Sequence, residues 1–218
     1  MSYQRLRVWD LPTRIFHIAL ILSVTTAWFS QEFWGESMQW HHWNGLFLLS
    51  ILLTRIGWGF VGSTTARFSH FVPTPKRLWR YLKGDHSAAP EVGHNPLGAL
   101  SVLLILVLLL LMTVSGLFAD DDFIFSGPLR YLLDYDLALT VTDWHRTGYT
   151  AVLGLILLHL GAILWYTLRG KGLVLPMISG EALLPHALTP EPPLHFVSSW
   201  WALLLWLLFA LPIFWFLG

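Results

Sequence analysis

The amino-acid sequence predicts an all-α integral membrane protein: a bundle of four transmembrane helices followed by a fifth, C-terminal one. Two observations predict this. Of the 218 residues 55% are hydrophobic and only 12% charged, whereas a soluble domain carries about a quarter charged residues. The shortage is concentrated in five runs free of Lys, Arg, Asp and Glu, at 15–31, 37–54, 97–119, 147–168 and 196–218. A helix crosses a bilayer with about 20 apolar residues, so spans are expected at about 12–31, 39–61, 96–119, 143–168 and 196–218.

Local signals support each element in turn. Asp10 is placed to cap the first helix, with Pro12 in its first turn where a missing N–H costs nothing. That run continues into Trp28 and Phe29 without a small-residue cleavage site, so it reads as a span and not as a signal peptide. Between the second and third spans, Arg77, Trp79, Arg80, Tyr81 and Lys83 mix cations with aromatics, as a short interfacial helix does. Asn95-Pro96 opens the third helix, which is Leu-rich, holds no candidate ligand and reads as a wall. The Pro-rich stretch 176–193 reads as irregular. The expected division is a transmembrane domain over 1–170, a linker over 171–195 and the fifth span over 196–218.

Charge sets the expected orientation. Arg5, Arg7 and Arg14 precede the first span, while the next connection carries Glu32 and Glu36 and no cation. The second connection holds Arg67, Lys76, Arg77, Arg80 and Lys83; the third holds Asp120, Asp121, Asp122, Asp134, Asp136 and Asp143 against Arg130; the fourth begins with Arg169 and Lys171. This alternation follows the positive-inside rule and predicts a cytoplasmic N-terminus and an extracytoplasmic C-terminus. Zero net charge argues against a nucleic-acid binder. The absence of cysteine excludes disulfides, iron–sulfur clusters and covalently attached haem.

Histidines carry the chemical signal. His17 lies in the first span, His41 and His42 open the second, and His145 and His159 share the fourth. Ionisable groups at such positions are costly and usually functional. Fourteen residues at 100° and 1.5 Å each leave His145 and His159 about 40° apart on one face and about 21 Å apart in depth. In the expected topology His17 lies level with His159, and His41 or His42 level with His145. Depth alone thus points to two non-covalent haems, each between two imidazoles. Adjacent residues diverge by about 100°, so only one of His41 and His42 can face a haem. Arg14, Arg55 and Arg146 sit near span ends, suited to pair with haem propionates. His70, His86, His94, His186 and His195 read as solvated or interfacial loop residues.

The motifs resemble those of the bacterial cytochrome b-561 family, which includes the b-type subunits of nickel–iron hydrogenases. The resemblance rests on Trp9-Asp10-Leu11-Pro12-Thr13-Arg14-Ile15-Phe16-His17, on His41, Gly45, Arg55 and Trp58-Gly59-Phe60, on Ala66-Arg67-Phe68, on Gly93-His94-Asn95-Pro96-Leu97-Gly98-Ala99, and on Trp144-His145 with His159. It covers about residues 5–170 and implies two b-type haems with ligands His17, His41, His145 and His159. It selects His41 over His42 through the spacing to Gly45 and Arg55. It further implies electron exchange between the quinone pool and a redox partner in the inner (plasma) membrane of a bacterium, where the charge alternation makes the C-terminus periplasmic. The acidic extracytoplasmic connections predict a partner with a positive rim, such as a cytochrome c, with a hydrogenase as the other candidate. The fifth span lies beyond the resemblance and is expected against lipid or another membrane subunit. A histidine proton relay in a transporter would require acidic residues or broken helices within the spans, and the spans lack Asp and Glu. A non-redox membrane anchor would leave the His145–His159 spacing unexplained. A chain that oxidises quinol itself would be an enzyme, one that only relays electrons a carrier subunit; the residues leave both open.

Overall fold

The computed structural model describes residues 3–32, 38–85, 92–122, 125–185 and 193–218. Glu36, His86 and His186 lie outside the described residues, as does the side chain of Glu32. Among the described residues five helices are long and apolar enough to cross a membrane: α1 (Leu11–Glu32), α2 (Met38–Val61), α5 (Pro96–Gly116), α6 (Tyr135–Leu168) and α8 (Ser199–Leu217). Shorter elements cluster where the basic connections lie, hereafter the basic end: β1 (Tyr3–Arg7), α3 (Phe68–Phe71), α4 (Pro75–Leu82), α7 (Val174–Ser179) and β2 (Glu181–Pro185).

The helix starts are set by side chains that take the first free backbone N–H groups. Asp10 Oδ1 accepts from Thr13 N–H at 2.8 Å and opens α1. Thr74 caps α4 and Asn95, followed by Pro96, caps α5. Asp134 accepts from Leu137 N–H and starts α6 at Tyr135, eight residues before the expected 143. The apolar run begins late because Asp136 and Asp143 lie on the first turns of a helix that projects past the apolar layer.

Helix α2 is central. It packs against α1, α5 and α8, and α5 in turn packs against α6; among the described residues α1 and α6 make no comparable contact. One apolar cluster joins α2, α5 and α6 through Leu48, Ile51, Leu52, Leu106, Leu109 and Val152. A second, of Leu46, Leu49, Leu117 and Ile213, draws α8 into the bundle. The α8 register is held by polar bonds at two depths: Trp206 Nε1–H donates to Ser50 Oγ at 3.1 Å, and His42 Nε2–H donates to the Leu217 carbonyl at 2.9 Å. The fifth helix is therefore half committed to the bundle, while Trp200, Trp201, Trp215 and Phe216 face outward.

Part of the stretch expected to be irregular is ordered. It contains α7, closed by Gly180 at φ +88°, and β2, which pairs antiparallel with β1 from Arg7↔Glu181 to Tyr3↔Pro185. A Cβ on Gly180 would lie 2.9 Å from the Trp9 carbonyl, so both the turn and the close approach call for glycine. The prolines misled because β2 needs only a short run between them to pair as one edge of a two-stranded sheet.

Candidate functional site

At the acidic end, α2 presents His41 and α6 presents His145 across the bundle, with ring centroids 6.1 Å apart and planes at 86°. Hydrogen bonds decide which nitrogen each ring offers. His145 Nδ1 lies 2.9 Å from the Met112 carbonyl, which can only accept, so Nδ1 carries the proton. Ser115 Oγ, 3.1 Å from the same Nδ1, donates its own hydrogen to Met112 O. On the other ring, Ser30 Oγ donates to the Ala27 carbonyl and so accepts from His41 Nδ1–H at 3.1 Å. Both rings are thereby held with Nε2 unprotonated, the form in which imidazole binds a metal. Ser30, Met112 and Ser115 escaped sequence reasoning, since a serine in an apolar helix carries no signal of what it faces. Helix α5, read as a wall, is thus also the orienting partner of His145.

The structure separates the adjacent histidines. His41 faces His145, while His42 is turned away, tied to Leu217 and 5.5 Å from the Phe125 ring. Gly45, one turn below His41, has open space where a Cβ would stand, with nothing within 4 Å.

At the basic end, His17 on α1 and His159 on α6 lie within electrostatic reach of each other. One imidazole pair thus stands towards each end of the bundle, His41–His145 between α2 and α6 and His17–His159 between α1 and α6. Among the described residues no three His, Asp or Glu converge on one point, so the histidines stand as two pairs and not as one polydentate centre. The donor set, the fixed tautomers, the 6.1 Å between the His41 and His145 rings and the space at Gly45 together fit a flat, doubly ligated group such as haem.

The cations divide. Arg55 is only 4% exposed and sits among the rings of Phe16, Phe68 and Phe71, 6.0, 5.6 and 5.9 Å from its Cζ. Its Nη1 is buried without a hydrogen-bond partner. Asp10, 1% exposed, is its nearby carboxylate, but Oδ2 accepts from Trp58 Nε1–H at 2.8 Å and Oδ1 is the α1 cap. Arg14 donates to the Ile178 carbonyl and leaves Nε buried and unpaired. Arg146 is exposed at the acidic end, close enough to His145 to influence its charge.

Two loop histidines expected to be solvated or interfacial are half-buried. His94 packs between Trp9, at 4.7 Å and 60°, and Phe71, at 5.0 Å. Its Nδ1 and that of His70 are shut away from solvent without partners. Burial, followed by the Arg55 guanidinium, His159 and His70, pushes the His94 pKa well below the ordinary histidine value. The loop sequence looks polar because its apolar cover, Trp9 and Phe71, comes from distant segments. Nearby, Asn95 Nδ2–H donates to Tyr166 Oη at 3.0 Å, which joins the start of α5 to the end of α6.

The acidic connection is partly self-satisfied. Asp120 accepts from Arg130 Nε at 2.6 Å, from Asp122 N–H and from Ser126 Oγ, while Asp121 takes Phe125 N–H at 2.9 Å.

With this geometry in view, similarity to known proteins is decisive. The sequence pattern described as "Prokaryotic cytochrome b561" matches residues 8–180. The chain belongs to that family. Among its relatives, a protein of Rhizobium leguminosarum bv. viciae is 24% identical over 218 aligned positions, covering 83% of this chain and 90% of the relative. One of Azotobacter vinelandii is 25% identical over 190, covering 70% and 77%. One of Bradyrhizobium diazoefficiens is 26% identical over 159, covering 65% and 64%. Each is described as a probable Ni/Fe-hydrogenase B-type cytochrome subunit. This cytochrome b561 is thus a multi-pass membrane protein of electron transport, and the cofactor of its family is haem b.

Proposed function

We propose that this cytochrome b561 carries electrons across the inner membrane of a bacterium between the quinone pool and an extracytoplasmic redox partner. In this reading it does so through two non-covalent b-type haems. The observation that carries the reading is the two imidazole pairs, His17 with His159 and His41 with His145, towards opposite ends of one bundle. When bound, each haem supplies an iron that takes up and gives back a single electron.

The chain's own residues do the rest. The four imidazoles would hold the two groups, and Ser30, Met112 and Ser115 keep the rings of His41 and His145 with Nε2 free to bind. Arg55 and Arg14 offer cations to propionates at the basic end, and Arg146 at the acidic end. The apolar faces of α1, α2, α5 and α6 exclude water and so tune the potentials.

The distribution of Lys and Arg supports a cytoplasmic basic end and a periplasmic C-terminus. The relatives' description favours a hydrogenase as the partner, docking at the acidic end; a cytochrome c with a positive rim is the other candidate. The outward aromatic face of α8 is suited to lipid or to a further membrane subunit.

The test is a pyridine haemochrome spectrum with haem-to-protein stoichiometry on purified protein. The variants are His17→Ala, His41→Ala, His42→Ala, His145→Ala and His159→Ala. Two haems per chain, lost in the pairs 17/159 and 41/145 and retained at 42, is the expected result. Folded protein devoid of haem would refute the reading.

A further inference from the structure

We propose that His94, acting with Arg55, forms the propionate clamp of the haem held between His17 and His159, a role that rests on the di-haem reading above. Three buried nitrogens without partners converge around Phe71: Arg55 Nη1, His94 Nδ1 and His70 Nδ1. A buried donor left unpaired is costly, and a buried cation more so, which marks the place as one that a ligand completes. Asp10 does not fill it, because its two oxygens are already engaged by Thr13 and Trp58. The missing group accepts hydrogen bonds and carries negative charge. A carboxylate offers two charged acceptor oxygens to a guanidinium and an imidazole N–H together, whereas a quinone carbonyl offers them one neutral oxygen.

The position of His94 suits the task. Its ring lies 5.0 Å from that of Phe71, which is 5.9 Å from the Arg55 Cζ, and the same Cζ lies 6.0 Å from the ring of Phe16, the neighbour of His17 in the chain. Gly93, at φ +100°, turns the chain into the site, and Asn95 immediately afterwards caps α5 through Gly98 N–H at 2.8 Å. The loop is thereby pinned on the α5 side, and the Trp9 and Phe71 rings pin the imidazole itself. The clamp joins the connection before α5 to the middle of the bundle, so haem binding and closure of the basic end are coupled.

The experiment compares wild type, His94→Ala, His94→Gln and His195→Ala in the full chain. It follows haem-to-protein ratio, haem release to a scavenging apoprotein, and redox titration of each haem. In His94→Ala one haem is expected to leave about tenfold faster or more, as when partners just outside a metal's ligands are removed. Its midpoint should move to a more negative potential, because a propionate without a donor stabilises the oxidised iron. The second haem should be unchanged and serves as the internal report of folding. His94→Gln, which keeps an N–H donor, should recover part of the loss, and His195→Ala should match wild type. Two haems with unaltered release and potentials in His94→Ala would overturn the clamp and leave the di-haem reading standing. Unaltered haems with weakened binding of a quinone analogue would overturn it in favour of a quinone headgroup. A wild-type protein without haem would overturn both.

Discussion

Replacing Asp10 tests how the start of α1 is locked to α2. In Asp10→Ala two bonds are lost. The N-cap to Thr13 is worth about 1 kcal/mol. The Trp58 bond, 2.8 Å long to an ionised acceptor, is worth about 1.5–3 kcal/mol, since it leaves a buried indole N–H unpaired. The expected destabilisation is therefore about 3 kcal/mol, with the loss of Arg55's neighbouring carboxylate adding to it. Trp58→Phe deletes the donor and part of the buried ring, and should cost at least about 1.5–3 kcal/mol. Asp10→Asn keeps a good cap but has one acceptor oxygen, so it should fall between wild type and Asp10→Ala. The assay is reversible unfolding in mixed micelles followed by far-ultraviolet circular dichroism. The double variant Asp10→Ala/Trp58→Phe should cost less than the sum of the singles by about the energy of the shared bond. Additive singles, or a cost below about 0.5 kcal/mol for either, would refute the linkage.

Other perturbations probe the remaining elements. Gly59→Ala would drive a Cβ into the Phe68 ring beside Arg55, so a loss of about 1–3 kcal/mol is expected in the same unfolding assay. His42→Ala removes the bond to Leu217 and should cost about 1 kcal/mol while haem content stays at the wild-type level. Ser30→Ala with Ser115→Ala should accelerate haem release from the His41–His145 pair by about tenfold and spare the other pair, read by absorbance during transfer to a scavenger. The Asp120 carboxylate is held below its ordinary value by Asp122 N–H first and then by Arg130. The unfolded chain binds the proton first, so this contribution to stability is complete above the ordinary carboxylate pKa and is lost as pH falls below it. Thermal melting of Asp120→Asn should therefore be less acid-sensitive than wild type.

By itself the sequence determined the helical membrane fold, because the uncharged runs match bilayer thickness and need no partner to be read. It also determined two caps, Asp10 and Asn95, whose signals lie within three residues of the bonds they make. The depth pairing of the histidines was legible too, since the rise of a helix and the alternation of the connections set it. Tertiary structure decided what depends on neighbours far along the chain. His42 is turned away by a carbonyl 175 residues distant, and β2 is ordered by β1 at the opposite end of the chain. His94 is half-buried between Trp9 and Phe71, with its Nδ1 shut from solvent, which no local pattern announces. Periodicity gives the face of a helix, but which atom meets that face is decided only by packing. That is why the ring tautomers and the orphaned nitrogens around Arg55 emerged only in three dimensions.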